Sequence, residues 1–154
     1  MNLEERIVNK LLEKKYTITT TESCTGGLTA GRILNVSGAS EVYNEGYITY
    51  SNEAKERLIG VSHETLEKYG AVSRQTAEEM AKGAAFAAKA NVGLSTTGIA
   101  GPGGGTKEKP VGLIYVGCYI DGKTYVKECR FSGTREENRR DAVEAVLNLL
   151  NENL

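Results

Sequence analysis

The sequence has no tryptophan, two prolines, one histidine and three cysteines among 154 residues. A single histidine cannot build a multi-histidine metal site. His63 lies in Val61-Ser62-His63-Glu64-Thr65, the start of a helix that Ser62 caps, where it reads as a surface residue. Nothing there gives it an aspartate, so any nucleophilic chemistry must use a base other than histidine. Cys24, Cys118 and Cys129 make no metal spacing and cannot all pair, which fits a cytoplasmic chain. Cys118 and Cys129 fall in strand-like runs and read as small core residues. No apolar run approaches the length of a membrane span, and Met1-Asn2-Leu3-Glu4-Glu5-Arg6 is a charged helical start, not a signal peptide. The formal net charge is −1, which argues against nonspecific nucleic-acid binding while leaving room for a local cationic pocket.

What is present is an ordinary globular composition, 40% hydrophobic and 25% charged. A chain of this size buries roughly 70% of its unfolded surface, so one domain over residues 1–154 is expected without staples. Leu3, Ile7, Leu11 and Leu12 share a face and predict a helix over 2–13. The β-branched run 16–20 predicts a strand, followed by a helix over about 26–35. A second strand is expected over 43–50, interrupted at Glu45-Gly46. Helices are expected over 52–59, with Ser51 or Asn52 as cap, over 62–69 ending at Gly70, and over 73–89 behind Ser73 and Thr76. A strand at 92–97 and a glycine-rich loop at 98–105 follow. Strands over 111–120 and 123–131 are joined by Asp121-Gly122, a two-residue hairpin signal. The last helix, 134–150, buries Ala142, Val143, Val146, Leu147 and Leu150. This order predicts an α/β protein with helices on both faces of a mixed sheet.

The segment Thr21-Glu22-Ser23-Cys24-Thr25-Gly26-Gly27 joins a strand to a helix through a tight turn. A helix start offers free backbone N–H groups and a positive dipole end, suited to an anion or an oxyanion. Ser23 stands where a nucleophile would stand, in outline like the nucleophile elbow but without the G-x-S-x-G pattern. The plain alternative is a cap, with Ser23 or Thr25 accepting a backbone N–H.

Three further features carry chemistry. Lys55 falls early in its helix, behind Tyr50-Ser51-Asn52-Glu53-Ala54. The helix dipole and partial burial would lower its pKa and make it a usable base, so a Ser–Lys arrangement is chemically sensible. Tyr50 would relay a proton or position a partner. The bland reading pairs Lys55 with Glu53 or Glu56 in solvent. Gly98-Ile99-Ala100-Gly101-Pro102-Gly103-Gly104-Gly105 holds five of the chain's 18 glycines directly after a strand, where α/β folds place ligand sites, or is a floppy linker. It lacks the P-loop and dinucleotide fingerprints. Arg135, Arg139 and Arg140 open the last helix. They hold a phosphate or are balanced by Glu136 and Glu137.

The ordered set Thr21–Gly27, Thr49–Lys55, Gly70-Ala71-Val72-Ser73, Gly98–Gly104 and Lys109-Pro110-Val111-Gly112 resembles the CinA C-terminal domain family, the nicotinamide-nucleotide amidases, over about residues 5–152. The resemblance implies a three-layer α/β/α sandwich with a five-stranded mixed sheet. It implies hydrolysis of nicotinamide mononucleotide to nicotinate mononucleotide and ammonia in pyridine-nucleotide salvage, with no cofactor and no metal. Carried onto this chain, Ser23 is the nucleophile, Lys55 the base and Tyr50 an assisting hydroxyl. Cys24, Thr25, Gly26 and Gly27 supply oxyanion N–H groups. Gly98, Ile99, Ala100 and Gly101 line the nucleotide site, and Arg139 or Arg140 holds the phosphate, Arg140 first. Some members of the family carry an additional N-terminal molybdopterin-binding-like domain, so this chain reads as a stand-alone form. Gly103-Gly104-Gly105-Thr106 is glycine-rich where some relatives have an acidic residue. The expected partner is a small nucleotide substrate, with no nucleic acid and no membrane, and homo-oligomerisation is left open. The competing readings are a non-catalytic nucleotide-binding module and a cysteine amidase using Cys24.

Overall fold

The computed structural model describes residues 1–154. Helix α1 (Leu3–Lys14) opens with a capping box between Asn2 and Glu5 and stops at Lys15, whose φ of 57° is left-handed. It leads into β1 (Ile18–Glu22), α2 (Leu28–Leu34), β2 (Tyr47–Ile48), α3 (Asn52–Ile59), α4 (His63–Tyr69) and α5 (Arg74–Ala88). The chain finishes with β3 (Val92–Gly98), β4 (Leu113–Ile120), β5 (Lys123–Arg130) and α6 (Arg135–Asn153). The five strands form one sheet in the order β2-β1-β3-β4-β5. β1 runs parallel to β2 and β3, and β4 is antiparallel to both β3 and β5. The fold is therefore α/β with a mixed sheet, as the sequence predicts. The β4–β5 turn is Asp121-Gly122 with φ of 40° and 102°, the positive pair that matches strand twist.

The two faces of the sheet are built differently. On one, α1, α2 and α6 close over 19 buried apolar residues, among them Ile7, Leu11, Ile33, Leu94, Ile114, Leu147 and Leu150. On the other, α5 lies directly on the central strands. A Cβ built at Gly93 would sit 2.2 Å from the Ala81 carbonyl oxygen, and one at Gly117 would sit 2.7 Å from that of Ala77. Bare glycine on the strands and the alanines of α5 let the helix backbone reach the sheet. Ser95 Oγ then donates to the Ala77 carbonyl at 2.7 Å. Helices α3 and α4 pack on the outside of α5.

Strand β2 is shorter than the expected 43–50. Its would-be first half is spent on side chains: the Thr19 hydroxyl donates to the Glu45 carbonyl at 2.7 Å, and Thr20 Oγ1 lies 2.8 Å from the Tyr43 hydroxyl. Only the isolated bridge between Ile18 and Tyr43 remains of ladder pairing there. Cys118 and Cys129 are buried core residues, and His63 opens α4 on the surface beside Glu56 and Glu67.

Candidate active site

Strand β1 ends at the centre of the sheet, and pairing continues one residue further, with Ser23 N–H donating to the Thr96 carbonyl at 3.0 Å. The chain then reverses through Gly26 and Gly27, whose φ values of 55° and 107° are left-handed. Neither Ser23 nor Thr25 caps α2. The cap position is Gly27, which brings no side chain. The carboxylate of Glu22 reaches forward instead and accepts from Thr29 N–H at 2.7 Å and Ala30 N–H at 3.0 Å. The first-turn donors expected to bind an anion are thereby occupied. Gly26 N–H is also taken, by the Ser23 carbonyl at 3.2 Å. The N–H groups of Cys24, Thr25 and Gly27 have no protein acceptor.

Lys55 meets this turn from the far side. Thr49 N–H donates to the Glu22 carbonyl at 2.9 Å, extending β2 by one residue. Ser51 caps α3 by accepting from Ala54 N–H at 3.1 Å. The geometry turns Lys55 inward, with 1% of its surface exposed. Its Nζ donates to the Thr49 carbonyl at 2.8 Å and lies 3.2 Å from Ser23 Oγ. No carboxylate pairs with it. Burial pushes its pKa down to about 8. The expected depression is present, and burial, one of its two expected causes, produces it. Lys55 stands fourth after the Ser51 cap, past the first turn where a dipole argument applies. The solvent pairing with Glu53 or Glu56 is absent: Lys55 is buried, and Glu53 pairs with Arg57 at 2.7 Å.

A cavity of about 290 Å³ opens beside Ser23 and Lys55. Its walls are Cys24, Tyr50, Asn52, Ala71, Val72, Thr97, Gly98, Ile99, Ala100, Gly101, Gly103, Gly104 and Arg135. The glycine-rich loop is a tethered wall rather than a floppy linker. Ile99 N–H donates to the Leu113 carbonyl at 2.9 Å, Asn138 Nδ2 to the Ala100 carbonyl at 3.0 Å, and Arg135 to the Gly101 carbonyl at 2.8 Å.

Several expected site residues lie elsewhere. Thr25 is fully buried and spends its hydroxyl on Glu22. Gly26 and Gly27 are outside the cavity. Arg139 lies behind the turn, donating to the Cys24 carbonyl at 2.9 Å and the Thr25 carbonyl at 3.2 Å. Arg140 is exposed and, with Arg139 and Gly27, lines a second cleft of about 850 Å³ between α2 and α6, which Arg135 borders from the cavity side. The arginine at the cavity is Arg135, not Arg139 or Arg140, the two expected to hold the phosphate. Tyr50 hydrogen-bonds to neither Ser23 nor Lys55; its hydroxyl accepts from Arg135 at 3.2 Å at the same cavity, so no direct hydrogen-bond relay through it is formed. Cys24 borders the cavity but is 5% exposed and packs with the apolar core, and burial pushes its thiol pKa up to about 11, which disfavours the thiolate. No three His, Cys, Asp or Glu side chains cluster in a metal-holding arrangement. No helix is long and apolar enough to cross a membrane.

With the geometry in place, the sequence matches the CinA C-terminal domain family over residues 1–154. The chain belongs to the CinA C-terminal domain family. It is 43% identical to the competence/damage inducible protein CihA of Agrobacterium tumefaciens, covering 96% of this chain and 91% of that one with a TM-score of 0.93. A CinA superfamily protein of Escherichia coli superposes with a TM-score of 0.96 at 35% identity, over 99% of this chain and 89% of its own. A competence-damage inducible protein of Clostridium botulinum (strain ATCC 19397 / Type A) is 55% identical over 153 residues. That match covers 99% of this chain but only 37% of the clostridial protein, so the chain spans little more than a third of the curated relatives' length.

Proposed function

We propose that this CinA-family domain is an amidase that converts nicotinamide mononucleotide to nicotinate mononucleotide and ammonia. The observation that carries the reading is the buried, unpaired Lys55 Nζ, 3.2 Å from Ser23 Oγ at a cavity. Burying an amine without a counterion costs stability, and a protein that only bound a nucleotide would gain nothing from that cost. The membership of nicotinamide mononucleotide deamidases in the same family supports the choice of substrate.

Neutral Lys55 takes the Ser23 proton as Oγ bonds to the carboxamide carbon. The carbonyl π pair moves to oxygen, where the free N–H group of Cys24, which lines the cavity, receives it. Collapse of the adduct breaks the C–N bond, and the Lys55 ammonium returns its proton to the departing nitrogen, releasing ammonia. Water then adds to the Ser23 ester with Lys55 again as base, and Ser23 leaves as the hydroxyl with nicotinate as product. Arg135, which lines the cavity, is the proposed partner of the phosphate in place of Arg139 and Arg140. The test is ammonia release from nicotinamide mononucleotide, its riboside and free nicotinamide, with and without EDTA. Release is expected to be much faster from the nucleotide than from the riboside or free nicotinamide, and unchanged by EDTA. A ligand-induced rise in melting temperature without ammonia would make the domain a binding module. Loss on chelation restored by a divalent ion would contradict the metal-free route.

A further inference from the structure

Glu22 has no place in the chemistry just described, yet it is 1% exposed and adjacent to the nucleophile. No Lys or Arg pairs with it. Three donors converge on it instead, all from the far side of the turn. Oε1 accepts from the Thr25 hydroxyl at 2.6 Å and from Thr29 N–H at 2.7 Å, and Oε2 accepts from Ala30 N–H at 3.0 Å. Thr25 Oγ1 also lies 2.7 Å from Thr96 Oγ1, while the Thr96 carbonyl accepts from Ser23 N–H. One carboxylate therefore joins the end of β1, the apex of the turn, the start of α2 and β3.

This arrangement solves a local problem. The turn has two left-handed glycines and so little intrinsic rigidity. The Gly27 cap offers no side chain to the free amides of α2. A carboxylate at the positive helix end satisfies both amides and the dipole together. It also takes Thr29 and Ala30 out of competition for a developing negative charge, leaving the Cys24 N–H as the free donor beside Ser23 at the cavity.

We infer that Glu22 is a positioning residue that clamps the turn from behind, fixing the aim of Ser23 and of the Cys24 N–H group. This inference rests on Ser23 as nucleophile. Its effect is on attack rather than on substrate binding, because Glu22 does not line the cavity. Replacing one oxygen by NH2 in Glu22→Gln sets a donor against a donor at Thr29 or Ala30, with almost no change in volume.

The experiment compares the parent with Glu22→Gln, Thr25→Val and Thr25→Ser by ammonia release on nicotinamide mononucleotide. Amide hydrogen exchange at residues 23–30 is read in parallel. In Glu22→Gln, kcat is expected to fall at least thirtyfold with KM within threefold, and the Thr29 and Ala30 amides to exchange faster. Thr25→Val is expected to lose about tenfold more kcat than Thr25→Ser, which keeps the hydroxyl. This pair reads the clamp even where Glu22→Gln does not fold. A Glu22→Gln protein with faster exchange at Thr29 and Ala30 but parental kcat would overturn the inference, as would equal rates in the two Thr25 variants. Absence of ammonia release by the parent would instead remove the amidase reading on which the inference stands.

Discussion

Two cations hold the same turn from opposite sides, and they could not exchange places. In front, Lys55 is buried against Ser23 Oγ with only a carbonyl as second partner. Behind, Arg139 donates to the Cys24 and Thr25 carbonyls. A guanidinium stays charged at any pH the protein meets and is suited to gripping carbonyls as a permanent brace. An amine in a desolvated site loses its proton near neutrality and is suited to moving one. The front of the turn is built to titrate and the back to stay still.

The largest effect should come from emptying the front. Ser23→Ala should lower kcat at least a thousandfold with the melting temperature nearly unchanged, since removing one member of a nucleophile–base unit costs about as much as removing the unit. Ammonia release within tenfold of the parent would break the assignment. Lys55→Met should cost roughly a hundredfold or more in kcat while raising stability. In the unfolded chain the amine holds its proton up to about 10.5, and folding drops that pKa to about 8. The native state thus carries a cost below about 8 that fades as pH rises toward 10.5, since there the unfolded chain binds more protons. Deleting the amine at pH 7 should therefore stabilise by roughly 1–3 kcal/mol, or several degrees in Tm. A variant melting below the parent would contradict the unpaired-charge account.

At the cavity mouth, Arg135→Ala should reduce kcat/KM on the nucleotide about tenfold to a hundredfold, the worth of a charge-assisted pair of roughly 1.5–3 kcal/mol. The riboside should be far less affected, and Arg140→Ala should change neither substrate by more than about twofold. The reverse ranking would return the phosphate to Arg140. At the back of the turn, Arg139→Ala should lower kcat about tenfold. Its replacement by lysine should recover little, because one ammonium cannot reproduce the fork on two carbonyls. Cys24→Ala should stay within about threefold in kcat, its thiol being core packing.

Much of the front of the site was legible because its signals are local. A β-branched run, two glycines and an apolar helix pattern mark the turn at Ser23, and a Ser51 cap fixes where Lys55 stands on α3. The sheet was legible for the same reason, down to the Asp121-Gly122 hairpin. What escaped depends on where elements meet. Helical spacing puts Arg135 and Arg139 on one face, but one turn along α6 advances about 5.4 Å. That step moves the side chain from the Gly101 wall to the back of the Ser23 turn. Cap templates look just before a helix, whereas Glu22 caps α2 from the preceding strand across the whole turn. The lost half of β2 has the same origin: its pattern was adequate, but Thr19 and Thr20 engage that segment through their hydroxyls.

The measurement that tests the Ser23–Lys55 pairing most directly is the pH dependence of kcat/KM for ammonia release from nicotinamide mononucleotide, which reports the free enzyme's groups. A base whose pKa is about 8 is active when deprotonated, so the rate should rise with pH through a single midpoint near 8 and level off above it. A profile that is flat from pH 6 to 10, or that falls across that range, would contradict Lys55 as the base.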